Sequence, residues 1–209
     1  MNTPTRTDPP YVPIRHTAWP TRRTPRPLVL AAVGLVAVAV LVALAHRPSQ
    51  PQRASDLRAF LSDMTADIQS CAGGVSESLF ALSQVQSGAT RDVATAVNIA
   101  QTGAANCSPA NNELLDDLEE YQVTESLASF HLNRVVSGLV TWAAPEAQQV
   151  QTDVARVLTA SDQRAKEQDL ANLRQARAQL DAQRATVDSI IESASRSLSA
   201  KATPPRLPT

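Results

Sequence analysis

Aromatic residues make up 3% of the 209-residue chain, and beyond an apolar run at residues 28–45 only Phe60, Phe80, Tyr121, Phe130 and Trp142 remain. A core with so few rings must close on small aliphatic side chains, which suits tightly packed helices and argues against a sandwich of sheets. The same scarcity argues against polysaccharide binding, which uses aromatic stacking platforms. Cysteine is limited to Cys71 and Cys107; no CxxC pair exists, and no cysteine stands directly after the apolar run, which excludes a lipoprotein anchor. Positive charge is scarce in the main part of the chain: residues 50–209 carry 13 basic against 19 acidic groups. Such a surface repels phosphate backbones, so nucleic acid is not an expected partner. Catalytic signatures are missing as well. There is no GxSxG, no HExxH and no Gly-rich phosphate loop, and residues 47–209 contain one histidine, His131. No nucleophile, base and orienter can be assembled from these residues, so the reading is non-enzymatic, with no cofactor, no metal and no evident small-molecule substrate.

What the sequence does have is the uncharged stretch "LVLAAVGLVAVAVLVALA" at residues 28–45. As a helix it reaches roughly 27 Å at about 1.5 Å per residue, close to a hydrocarbon core of roughly 30 Å. Residues 1–27 carry Arg6, Arg15, Arg22, Arg23 and Arg26 against Asp8, so this tail is expected in the cytoplasm and residues 46–209 beyond the bilayer. The expected state is a signal-anchored, single-pass membrane protein. The alternative is secretion after cleavage behind Ala45, where Ala43-Leu44-Ala45 supplies a small-x-small pattern. Ala39 and Ala43 are spaced to pack two such helices, a pattern that an Ala-rich segment also produces by chance. Seven prolines in residues 1–27 predict a disordered, PPII-like tail. Seventeen arginines against two lysines, with much Ala and Val, suggest a GC-rich bacterial source.

After a linker at 46–54, helical periodicity fills residues 55–200, and a loose Pro-rich end follows at 201–209. Leu57, Leu61, Met64, Ile68, Cys71, Val75 and Leu82 recur at spacings of three, four and seven, predicting a helix over 55–87. Gly73-Gly74 would kink that helix or admit a close neighbour, and Gly88 suits its C′ position. A second stripe, Val93, Val97, Ala100, Ala104 and Cys107, runs to Ser108-Pro109. A third, short helix is expected to bury Leu114, Leu118 and Tyr121. A fourth, capped by Thr124, would bury Ala128, Leu132, Val135, Leu139 and Trp142. Pro145 would open a fifth with Val150, Val154 and Val157. A long charged helix over 162–198 carries Leu170, Leu173, Ala176, Leu180, Val187, Ile190 and Ala194 on one narrow, coiled-coil-like seam. Ser161-Asp162 could cap its start, and the pattern leaves open whether it continues the fifth helix. The fold class is therefore all-α: a transmembrane helix, then an extracytoplasmic antiparallel bundle ending in a long amphipathic helix.

Cys71 and Cys107 lie about equally far from the turn near Gly88, so an antiparallel hairpin sets them at one height. A disulfide needs Cα atoms within about 7 Å and an oxidising compartment, and both conditions are expected here. "ELLDDLEE" places Glu113, Asp116, Asp117 and Glu120 on one helical face, to be relieved by solvent and arginines or by a cation or basic partner. His131 adjoins the inward face of the fourth helix and could report pH or simply be half-buried. The seam at Leu170, Leu173, Leu180, Val187 and Ile190 is expected to offer an edge to a protein partner or a second copy. These features predict a membrane-anchored interaction or scaffold module of a bacterial envelope. The alternative is a ligand-sensing ectodomain that signals through a separate membrane protein.

Overall fold

A computed structural model describes residues 48–208. The tail at 1–27, the apolar run at 28–45 with its Ala45 boundary, and Thr209 lie outside the described residues. Within them the chain is a bundle of helices without strands. No helix among the described residues is long and apolar enough to cross a membrane.

The first helix, α1, spans Gln50–Gln86. It starts inside the expected linker, because the Ser49 side chain accepts from the Gln52 amide and Pro51 stands in the first turn, where its missing N–H is no loss. It passes through Gly73-Gly74 without interruption and ends where Gly88, at φ 74°, turns the chain. Helix α2, Val93–Asn106, begins on Asp92, whose carboxylate accepts from the Thr95 amide at 2.9 Å and the Thr95 hydroxyl at 2.7 Å. These two bonds hold the exposed Asp92 carboxyl below its ordinary pKa. The buried face of α2 is Ala96, Ala100 and Gly103, continued by Cys107 at its C-cap, rather than the expected Val93, Val97 and Ala104. Close packing against α1 selects the smallest side chains and moves the valines to the flank.

After a 3₁₀ turn at Pro109–Asn111, α3 covers Glu113–Glu120 and is capped by Asn112. It buries Leu115 and Leu118; Leu114, expected inside, is 42% exposed. Tyr121 is half-buried, its ring edge-on to Phe60 with centroids 5.6 Å apart. The expected fourth helix is two pieces, a 3₁₀ stretch at Glu125–Phe130 and α4 at Asn133–Thr141. They are separated by His131 in the left-handed region at φ 56°. Leu127 is buried in place of Ala128. A wide bend at Trp142–Ala147, containing a cis Ala144-Pro145 bond, leads to α5 at Gln148–Thr159. The chain then breaks at Ala160, and the Asp162 carboxylate caps α6, Gln163–Ser197, by accepting from the Ala165 amide.

Helices α1 and α2 form one antiparallel hairpin, and α5 and α6 a second. Helix α5 runs through the middle, touching α2, α6 and α1, which explains why its burial extends beyond one stripe. Val150, Val154 and Val157 are inside as expected, and so are the polar Gln151 and Asp153. Asp153 is satisfied there by Gln149 Nε2 at 2.9 Å and by the Arg156 guanidinium at 3.1 Å. The last residues are not a loose end: Pro205 and Leu207 are buried, and Thr203, Pro204 and Arg206 lie beside α1 near Ile68 and Ala72. An extended Pro-rich strap with an apolar anchor can pack without helix formation, which periodicity does not report.

Candidate functional site

Of the residues singled out by sequence, Cys71 and Cys107 are joined by a disulfide, with Cα atoms 4.6 Å apart and both side chains fully buried. Gln151 Nε2 of α5 donates to Cys107 Sγ at 2.9 Å, tying a third helix to the hairpin at the bond. This is a structural joint; solvent does not reach either sulfur.

Glu113, Asp116, Asp117 and Glu120 are all exposed on α3. Asp117 adds its field to an acidic patch with Asp63 and Asp67 of α1. Partial burial is the main cause that lifts the Asp67 carboxyl above its ordinary pKa; Asp63 and then Asp117 lift it further. The Tyr121 hydroxyl is raised by burial first and by Asp63 second. A carboxyl that holds its proton more tightly folded than unfolded favours folding when protonated and opposes it as pH rises past the ordinary value of about 4. Asp67→Asn is therefore expected to raise Tm at pH 7 by about 1 to 2 °C, a modest figure because the group is largely in solvent. The gain should fade in melts taken near pH 3; a gain independent of pH would mean that something other than charge is at work. Among the described residues no group of three or more His, Cys, Asp or Glu could hold a metal ion.

The seam of α6 does not offer the edge expected of it. Leu173, Leu180 and Val187 are buried inside the chain's own bundle, and only Leu170 and Ile190 keep partial exposure. Its apolar positions are consumed by α4 and α5: Val187 fits against Gly138, where an added Cβ would lie 2.7 Å from its Cγ2, and Gln183 Nε2 donates to Gly138 O at 3.1 Å. His131 is exposed at its left-handed turn, not set beside an inward face. A helix break there was invisible to a pattern that continues in register on both sides.

The open surface lies instead between α1 and α2. A cleft of about 540 Å3 runs over Gly73, Gly74 and Gly103, with Ala66 and Leu114 at one end. A second, of about 280 Å3, includes Phe80, Ala81 and Ala96. Glu77 and Ile99 line both, so the two form one groove along the hairpin. Phe80 is 65% exposed, the most exposed large apolar side chain among the described residues. The floor is shallow because the two backbones nearly touch: a Cβ on Gly74 would sit 2.8 Å from Gly103 Cα. The sequence carries one sign of this surface, which is the distribution of charge. Between residues 68 and 112 only Glu77, Arg91 and Asp92 are charged, in a chain with 39 charged residues. Surface helices without charge are unusual, and depletion of charge marks the centre of interfaces.

Comparison with protein-family models, curated proteins and solved structures finds no match for this chain.

Proposed function

We propose that the protein is a membrane-anchored, non-enzymatic interaction module of a bacterial envelope, with residues 28–45 as the span and the helical bundle outside the cytoplasm. The observation that carries the binding part is the exposed, nearly uncharged groove between α1 and α2 with Phe80 standing in it. A large exposed apolar side chain beside a shallow, nearly uncharged groove is the kind of surface that another chain covers. The export part rests on the uncharged run, the arginines before it and the disulfide at Cys71 and Cys107, a bond kept in oxidising compartments. The groove opens to solvent, a shape that suits another chain better than an enclosed small ligand, so the ligand-sensing alternative has less support.

Fusions at Thr209 test the placement. Alkaline phosphatase, which folds only where disulfides form, should be active there, and the chain should stay in the membrane pellet after carbonate extraction. Release of a chain beginning at His46 would establish cleavage instead of anchoring. Activity of a reporter that works solely in the cytosol would overturn both.

A further inference from the structure

We propose that the groove between α1 and α2 is a self-association surface on which a second copy of this chain docks antiparallel, with the two-fold axis at Gly73. The proposal deepens the interaction-module reading and rests on it. Gly73 stands in the interior of α1, exposed, with nothing within 4 Å of a built Cβ and no positive φ. Neither internal packing nor backbone conformation asks for glycine there, although it is less favourable than alanine in a helix by about 1 kcal/mol. Its neighbour Gly74 is explained by contact with Gly103; Gly73 presents bare backbone to the outside.

The residues around Gly73 are self-complementary under a two-fold axis, which an isologous interface requires. Exposed Ala66, Ser70, Gly73, Glu77 and Phe80 follow one another at spacings of four and three, the stripe a helix presents to a partner helix. Ala66 and Phe80 each lie seven residues from Gly73, about 10 Å along the axis. An antiparallel copy crossing at Gly73 therefore sets each phenylalanine over the other's alanine, large against small. The same operation puts Glu77 opposite Gln69, whose amide can donate to the carboxylate.

Charge decides the direction. Asp63, Asp67 and Asp117 form the patch near the Ala66 end, while the opposite end carries Arg91 and Asp92, both exposed, whose charges offset each other. Antiparallel docking sets each acidic patch against this neutral Arg91–Asp92 pair, whereas parallel docking stacks acid on acid and Glu77 on Glu77.

The test uses the full-length chain in its own membranes with single cysteines added to the native disulfide. Under mild oxidation Gly73→Cys should give a covalent dimer well above an exposed control, Ala128→Cys. Co-expressed Ala66→Cys and Phe80→Cys chains bearing different tags should cross-link to each other, and this pair covers the case in which Gly73→Cys disturbs the helix. Adding Phe80→Glu should lower the yield at position 73 about tenfold or more, as loss of an aromatic anchor does. Dimers at 73 no better than the control, together with no 66-to-80 product, would overturn the proposal. So would cross-links of 80 to 80, the mark of a parallel pair. Capture of a different protein at position 73 would overturn self-association and leave the interaction-module reading standing; cross-links to nothing at all would remove both.

Discussion

Replacing Cys71 and Cys107 together by alanine is expected to lower stability by about 3 to 4 kcal/mol in the chain-entropy description, for a bond that closes 36 residues. For a bundle of this size the corresponding fall in Tm is about 10 °C. A second loss accompanies it. Gln151 Nε2 is fully buried and donates to Cys107 Sγ, so the substitution leaves it with only the longer bond to Ala147 O at 3.3 Å. A buried donor deprived of its acceptor adds about 1 kcal/mol or more. Because both sulfurs are buried, a thiol reagent should find neither cysteine in the native protein even after brief exposure to reductant. Both should label once the chain is unfolded and reduced. Labelling of both cysteines in the native, unreduced protein would contradict the bond outright, and a Tm change below about 2 °C in the double variant would show that the hairpin is held by packing alone.

The position of that bond was legible because it depends on counting: residues per turn, the distance from Gly88, and two cysteines on apolar stripes. The helical class and the long final helix were legible for the same reason. What periodicity could not supply was the depth of contact. The valines at 93 and 97 outscore Ala96 and Gly103 in hydrophobicity, yet the smaller pair lies inside because the distance between helices, not the transfer energy of each side chain, sets the face. The seam on α6 was read correctly as apolar and wrongly as available, since a stripe does not say whether the same chain covers it. Helix α5, with Gln151 and Asp153 buried beside its valines, is the element that covers and is covered on more than one side. The α1–α2 groove was missed altogether. Its mark is an absence of charge, which a search for periodic apolar residues passes over.

The adjacent glycines of α1 make opposite predictions. Gly74→Ala is expected to destabilise the fold by about 1 to 3 kcal/mol, although alanine is the better helix former, because the new Cβ would lie 2.8 Å from Gly103 Cα and a backbone cannot step aside. Gly103→Ala should have a comparable effect by another route: its Cβ would fall 1.9 Å from Gln151 Oε1, on a side chain already bonded to Cys107 and Ala147 with no solvent to turn into. Shortening that side chain with Gln151→Ala should recover part of the loss, so a double-mutant cycle on Gly103 and Gln151 is expected to show coupling of about 1 kcal/mol. Gly74→Ala should gain less from the same change, which removes the Gln151 Oε1 contact at 3.2 Å but leaves the Gly103 backbone at 2.8 Å in place. Gly73→Ala, with open space around its Cβ, should instead raise stability by about 0.5 to 1 kcal/mol in urea melts. Under the self-association proposed above, that same methyl group stands on the two-fold axis and holds two helices apart. A variant with a more stable fold and weaker pairing separates the two demands on one residue, and a Gly73→Ala chain that pairs as well as the wild type would leave its glycine without a reason.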